Sequence, residues 1–537
     1  MLLSTTIILP LLQAWLVSGA GAVPTDTTLS VQLDQATVIG TSSGPVESFL
    51  GIPYAQPPVG DLRLQLPQLI DSYNGTLNAT TLGNQCIQQA FVAPPGLPPE
   101  VIQDITPFLG MFSVNPNVTQ SEDCEYFIFP VIRADEGLQP HTGLNINVIR
   151  PANTSVDAKL PVLFWIYGGG FTTGSNAILA YNGTAIVERS IELDEPVIYV
   201  ALNYRLHVFG FLGGQEIKNA GVGNLGLQDQ RAAMRWVNKF ISSFGGDPSK
   251  VTIWGESAGS ISTFLHLFAN GGDAEGLFRA GIMSSGSSVP TGDITEVQGT
   301  YDFVVDEVGC SGANDTLACL RTVSTDSLLA AANNTPSFIG FQGLATPYMP
   351  RADGVFVTLP PGQLSLKAEM ADVPFIIGDV KDEGTFFSLG SFNITTDDEF
   401  AAYISENWFP GSSLADLNKT LALYPSDPAA GSPFDTGDAN VFTPEYKRIA
   451  AVQGDWFFQG PRRQFLDAFS ADRTTFVRFV HDLDPNGNCG VQWPPYNTSA
   501  RATLQFNDGD VPLNITVDDQ RLNGTDELTS LSLRFPF

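Results

Sequence analysis

The sequence predicts an α/β protein with a central, mostly parallel sheet flanked by helices. Two observations carry that reading. Short β-rich runs alternate with longer helical patterns from about residue 160 to about 380, as strands joined by crossover helices do. The runs are apolar along their whole length, which suits strands buried on both faces. They are Val162–Ile166, Val197–Leu202, Val251–Trp254, Ala280–Met283 and Val373–Ile377. Between the second and third, Ala233, Val237, Phe240, Ile241 and Phe244 fall at helical spacing within about Gly226 to Phe244. Gly245-Gly246-Asp247-Pro248 stops that helix.

Composition narrows the function classes. The 537 residues include 26 Lys+Arg and 56 Asp+Glu, a formal net charge of −30. Such a charge repels phosphate backbones, so no nucleic acid is expected as a partner. A hydrophobic share of 43% rules out a disordered chain. The length admits one large domain or two to four smaller ones. Five Cys without CxxC spacing make neither a disulfide scaffold nor a structural zinc site, and no metal is expected. Any imidazole chemistry must use one of only 4 His.

Residues 1–22 read as a secretory signal peptide. Ile7 to Val17 is strongly apolar, though Pro10 and Gln13 interrupt it, and Ser18-Gly19-Ala20-Gly21-Ala22 offers small residues before a cleavage site. The run is short and broken for a membrane anchor, and no later stretch reaches a spanning length. Asn-x-Ser/Thr sequons at Asn74, Asn78, Asn117, Asn153, Asn182, Asn314, Asn333, Asn393, Asn418, Asn497, Asn514 and Asn523 fit a secreted, glycosylated, extracellular protein. In an oxidising compartment the Cys can pair. Cys310 and Cys319 are near enough to close a small loop, Cys86 and Cys124 a longer one, and Cys489 is left over.

The most informative motif follows the Val251–Trp254 run. Gly255-Glu256-Ser257-Ala258-Gly259 matches G-x-S-x-G between a strand and a helical stretch, Ser260 to Phe268. A serine at such a turn exposes its hydroxyl above the sheet edge, and the flanking glycines let backbone pack closely. The Ala258 N–H and the helix N-terminus then favour negative charge on a bound carbonyl oxygen. A chance Gly-Ser turn would not have this strand–helix context. Gly168-Gly169-Gly170-Phe171 ends the Val162–Ile166 strand. Gly169 and Gly170 are candidates to complete an oxyanion hole with Ala258, since glycine leaves N–H groups unobstructed. Alone, the run would be an ordinary glycine turn.

These residues resemble the type-B carboxylesterase/lipase family, and within it the secreted fungal lipases. Matching stretches include Trp165-Ile-Tyr-Gly-Gly-Gly-Phe171, Asn224-Leu-Gly-Leu-Gln-Asp-Gln-Arg231, Phe244-Gly-Gly-Asp-Pro248 and Trp254-Gly-Glu-Ser-Ala-Gly-Ser260. The likeness runs from about Gly51-Ile-Pro-Tyr54 to Trp493-Pro-Pro-Tyr496, so residues 23–537 are expected to be one domain. The resemblance implies an α/β-hydrolase fold and a triad in the order Ser, acid, His. It implies Ser257 as nucleophile and Glu383, in Lys381-Asp382-Glu383-Gly384-Thr385, as the acid that orients the imidazole. It supports the pairs Cys86–Cys124 and Cys310–Cys319. It implies that the loop 86–124 carries a lid, whose apolar residues here are Val101, Ile102, Ile105, Phe108, Leu109, Met111 and Phe112. The alternative for that segment is a helix packed permanently on the core. No cofactor is implied. The substrate would be an ester or lipid at a lipid–water interface.

The chain departs from the family in two places. Glu125 to about Gly143 follows Ser121-Glu122-Asp123-Cys124 with no counterpart in the family, and we read 125–143 as a retained intron. The family's catalytic His sits in a short His-Gly-like motif well before Leu-Asp-Pro-Asn. Here His481 is the only His after Glu383, and it falls on the family's later, non-catalytic helix. About forty residues are expected to be missing after Arg473. His207 and His266 sit in strand-end and helix contexts, and His141 lies in the inserted segment. The expectation is therefore a secreted carboxylic-ester hydrolase whose written sequence lacks its base. The rival is a non-catalytic binding or adhesion protein on the same fold.

Overall fold

The protein is described by a computed structural model covering residues 27–89, 144–469, 476–483, 491–507 and 511–537, with residue 486 and scattered positions between 93 and 121. Residues 1–22, segment 125–143 with His141, Phe108, Leu109, Met111, Phe112, Asn117, Cys124, Arg473 and Cys489 lie outside the described residues.

The amino-terminal part is antiparallel. Strands β1 (Thr27–Leu33), β2 (Gln35–Ser43) and β3 (Val46–Pro53) form a meander, and β4 (Asn74–Asn78) runs parallel to β2. β5 (Gln85–Cys86) and β6 (Gln120–Ser121) form a small pairing apart from the main sheet. β7 (Asn145–Pro151) pairs antiparallel with β3. None of this half was read from the sequence. β2 shows why: its burial alternates, so no continuous apolar run marks it.

The expected strands follow. They are β8 (Leu160–Ile166), β9 (Ile198–Leu202), β10 (Gly246–Glu256), β11 (Ala280–Ser284) and β12 (Phe375–Gly378). The sheet order is β1-β2-β3-β7-β9-β8-β10-β11-β12, and every neighbouring pair from β9 to β12 is parallel. β9 is buried throughout. Helices α1 (Thr184–Glu192), α2 (Leu225–Phe240) and α3 (Ala258–Gly272) lie between β8 and β9, β9 and β10, and β10 and β11. In α2 the predicted Ala233, Val237 and Phe240 are buried. Ile241–Phe244 tightens into a 3₁₀ turn, and Gly245 ends it at φ +85°, where glycine avoids the penalty a Cβ would bring. Burying each such Phe contributes about 1.5–3 kcal/mol.

Downstream, α4 (Gly460–Phe469) packs Phe465 on Phe375 of β12, with ring centroids 4.6 Å apart. α5 (Phe476–Asp482) follows, then a separate hairpin of β13 (Ala502–Phe506) and β14 (Leu513–Val517), then α6 (Leu522–Arg534). Cys310 and Cys319 form a disulfide with Cα atoms 5.8 Å apart. Cys86 is buried on β5, and its expected partner Cys124 is not among the described residues.

Candidate active site

The site is built where β10 gives way to α3. Ser257 stands between Glu256, the last residue of β10, and Ala258, the first of α3, at φ 54° and ψ −122°. A non-glycine residue in that region costs of order 1–3 kcal/mol, so the surroundings must hold it. They do so through the Ser257 N–H, which donates to the Ser284 carbonyl on β11 at 2.9 Å, and the Ser257 carbonyl, which accepts from Ile261 N–H at 2.9 Å. Both motif glycines are steric necessities. A Cβ at Gly255 would lie 2.0 Å from the Gly259 carbonyl oxygen, and one at Gly259 would lie 2.0 Å from the Ile166 carbonyl oxygen. The second contact packs the start of α3 onto the end of β8.

The loop after β8 lies directly against the serine. A Cβ at Gly168 would approach the Ser257 Cβ to 2.9 Å and the Glu256 carbonyl oxygen to 2.7 Å. Gly169 and Gly170 adopt φ of +110° and +61°, conformations that favour glycine. The amides of Thr172 and Thr173 both donate to the Gly169 carbonyl, at 3.1 and 3.0 Å, which fixes the loop. The structure thus brings Gly169, Gly170 and Ala258 to the same end of the sheet as Ser257.

Glu383 reaches this end from β12. Its carboxylate accepts from the Val380 N–H at 2.8 Å, and the nearby Ser285 hydroxyl also favours its charged form. Ser285 follows Ser284, and its own N–H donates to the Gly378 carbonyl at 2.7 Å. Ser285 therefore links the acid loop to the strand that anchors Ser257. Burial, then the charge of Asp379, pushes the Glu383 carboxyl up to about 8, while the Val380 and Ser285 bonds act against that rise. Burial also pushes Glu256 up to about 7. Gly384 is another steric necessity, because a Cβ there would lie 2.0 Å from the Ala450 carbonyl oxygen.

Sequence reading missed the brace behind this loop. Arg462 on α4 donates to Asp379 at 2.9 Å and forms an ion pair with Asp518 at 2.8 Å, and all three side chains are buried. Arg463 adds a second bond to Asp518, and Gln459 donates to the Val380 carbonyl at 2.9 Å. The available signal was the pair Arg462-Arg463 amid apolar neighbours in a chain with 26 basic residues.

Among the described residues no histidine side chain hydrogen-bonds to Ser257 or Glu383, although the His207 N–H donates to the Phe171 carbonyl beside the glycine loop at 2.8 Å. His481 lies on α5 by the opposite end of the sheet. Arg279, the residue before β11, donates to the carbonyls of Val480 at 2.6 Å and His481 at 2.9 Å. Ser257 lies beyond the other end of the strands, roughly 15 Å away at about 3.3 Å per residue. The His481 ring contacts Asp482 at 2.6 Å. His207 is buried with its ring edge-on to Tyr348, and burial pushes it down to about 3. His266 lies along α3, where Nε2 meets Gln230 Oε1 at 2.9 Å; burial, with Arg231 and Arg235, pushes it well below its usual value.

Of the segment expected to form a lid, Val101 is buried with Leu97, Leu389 and Tyr446, whereas Ile102 is exposed. Leu389 lies shortly after Glu383 in the chain, so the foot of the loop rests on the acid's segment.

Known proteins resemble this chain in sequence and fold. Residues 27–477 match the carboxylesterase family. Lipase 5 of Diutina rugosa is 40% identical over 540 residues, covering 91% of this chain and 92% of that protein. A secreted triacylglycerol lipase of Gibberella zeae is 42% identical over 446 residues, covering 82% of this chain and 72% of its own length. The crystal structure of EstA from Aspergillus niger superimposes with a TM-score of 0.74 at 25% identity, covering 95% of this chain and 99% of that one. With its strand order, serine turn and acid loop as described, the chain belongs to the carboxylesterase family, a family of carboxylic-ester hydrolases on the α/β-hydrolase fold.

Proposed function

We propose that this chain represents a secreted, glycosylated lipase or esterase that works through a serine acyl-enzyme. Ser257 attacks the ester carbonyl. The N–H groups of Gly169, Gly170 and Ala258 hold the oxyanion, and water then releases the acid. One observation carries this reading: the strained backbone of Ser257, with Gly168 packed against it and Glu383 tied to its anchoring strand through Ser285. The exposure of the sequon residues Asn74, Asn78, Asn153, Asn182, Asn314, Asn333, Asn393, Asn418, Asn497 and Asn523 supports glycosylation. The relatives named as secreted lipases support export and an ester or lipid substrate. Residues 1–22 are the signal peptide. The loop 86–124 is the lid, supported by its foot against Leu389. Rates that jump when an ester passes its solubility limit test the lid; equal rates on either side count against it.

The base is the missing part. A serine hydroxyl is a weak nucleophile near neutral pH, and Glu383 has no imidazole to orient. We read the chain as a gene model that retains an intron at 125–143 and lacks the segment after Arg473 that carries the His. The position of His481 by Arg279 supports this reading. Hydrolysis by the chain as written should be lower by 10³- to 10⁶-fold, on the order of losses on removing triad members. Transcript sequencing across codons 124–144 and 470–485 tests both assignments. A fluorophosphonate probe should label Ser257 once the genomic segment is restored, and should not label Ser257→Ala. A restored chain that resists the probe makes the protein a non-catalytic binding relative.

A further inference from the structure

We propose that Gln88, with the buried asparagines Asn145 and Asn203, forms a clamp of amide side chains that fixes the loop after β8 and leaves the Gly169 and Gly170 N–H groups free for the oxyanion. Gln88 is thereby a positioning residue. The inference rests on the oxyanion role proposed for that loop, and it names what holds the loop in shape.

The loop is strained along most of its length. Gly169, Gly170, Phe171 and Gly174 all have positive φ, at +110°, +61°, +62° and +119°. Phe171 carries a bulky side chain in that region, so its surroundings must hold it there. Within the loop, the Thr172 and Thr173 amides bond the Gly169 carbonyl. That turn lays residues 172–174 back on the loop's start. A Cβ at Gly174 would lie 2.5 Å from the Gly168 carbonyl oxygen, and one at Gly169 would lie 2.4 Å from the Thr173 carbonyl oxygen. At such close packing, a shift of the return leg moves Gly169 with it.

The return leg is pinned from outside at three points. The Phe171 carbonyl accepts from His207 N–H at 2.8 Å, and the Thr172 carbonyl accepts from Gln89 N–H at 2.9 Å. The Gly174 N–H donates to Gln88 Oε1 at 2.9 Å. Of the three, only the last runs through a side chain, so it is the one a substitution can remove. By contrast, the Gly169 and Gly170 N–H groups donate to no described residue. The return leg is committed and two donors are left over, as an oxyanion hole requires.

The segment that carries Gln88 is itself fixed. The Asn84 carbonyl accepts from Asn203 Nδ2 at 2.8 Å and from Asn145 Nδ2 at 3.0 Å. The same two side chains hold the loop's exit. Asn203 Oδ1 accepts from Asn176 N–H at 2.9 Å, and Asn145 Oδ1 accepts from Asn176 Nδ2 at 3.0 Å. Asn145 begins β7 and Asn203 follows β9, so the sheet is the base on which both segments rest. Gln88, Asn145, Asn176 and Asn203 are all buried. Removing one acceptor there leaves a buried donor unpaired, with no water to replace it.

Gln88→Met removes the acceptor and keeps the bulk. In the chain as written, amide-resolved hydrogen exchange should find the Gly174 N–H at least about 10-fold faster, with the Ala233 and Val237 amides of α2 at the parent rate. An unchanged Gly174 amide overturns the proposal, as does an equal acceleration of all three. Gln88→Glu keeps the Oε1 acceptor and loses an amino group that bonds no described residue. It should return Gly174 to slow exchange, and a rate as fast as in Gln88→Met overturns the proposal. Should Gln88→Met fail to fold, Gln88→Ser takes the acceptor out of reach and is read in the same way. In the chain carrying the restored genomic segment, Gln88→Met should lower kcat about 10- to 100-fold and leave KM within about twofold. A raised KM with unchanged kcat overturns the positioning role. A restored parent that neither hydrolyses esters nor takes the fluorophosphonate probe rejects the serine reading, and the exchange rates then decide alone whether Gln88 fixes the loop.

Discussion

At Ser257 the backbone is strained, and three glycines make room for the strain. Gly259→Ala places a methyl 2.0 Å from the Ile166 carbonyl oxygen and should destabilise by about 1–3 kcal/mol or more. Gly299→Ala, which meets nothing within 4 Å in its helix, should be neutral or stabilising by up to about 1 kcal/mol. Thermal unfolding of the pair separates a steric requirement from a general dislike of alanine. Glu383 supplies a prediction in pH. Its carboxyl is raised from 4.5 to about 8, so the folded state binds that proton more tightly than the unfolded chain does. The stability contributed by the proton is complete below about 4.5 and is lost as pH rises through about 8. Glu383→Gln should therefore gain on the parent between those limits. Denaturant midpoints across pH 4 to 9 measure the gap, and a constant gap would show that Glu383 does not titrate in this way.

At the scale of elements, the acid loop depends on α4. Arg462 neutralises Asp379 and Asp518 together, so Arg462→Met leaves two buried carboxylates without their shared partner. A loss of about 3–5 kcal/mol is expected, read by urea unfolding. Arg462→Lys should recover only part of it, since one ammonium cannot present two forked contacts. This brace also marks how far the sequence could be read. β8 to β12 were legible because each holds a continuous apolar run, and in β8, β9 and β11 nearly every position is buried. Ser257 and the glycine loop were legible because their geometry is local, a few residues on either side of a strand end. Glu383 needed a family motif, because nothing within its own segment distinguishes it from other acids. The Arg462 bridge joins Asp379 and Asp518 across long stretches of chain, and no local pattern encodes such a contact. β1 and β2 escaped because their alternating burial leaves no continuous apolar run.

Over the whole molecule, the net charge of −30 sets how a lipid surface is approached. Anionic vesicles should bind the restored enzyme less than uncharged emulsions do, and added salt should narrow the difference as the Debye length shrinks. Sedimentation with each surface at low and high salt measures this. The exposed sequons are spread from β4 to α6, so endoglycosidase treatment should lower the mass of the secreted protein and leave its unfolding temperature nearly unchanged.

The strand order also has a consequence for synthesis. β8 carries the glycine loop, yet its two neighbours in the sheet, β9 and β10, are both made after it. At roughly 5–20 residues per second, the ribosome completes β10 on the order of ten seconds after β8 has been translated. Until β9 is made this almost wholly apolar strand has no partner on either side, and until β10 follows it has a partner on one side only. Chaperone occupancy on the nascent chain should therefore peak between the emergence of β8 and that of Ser257, and the glycine loop can take its final form only once the strand leading to Ser257 has arrived.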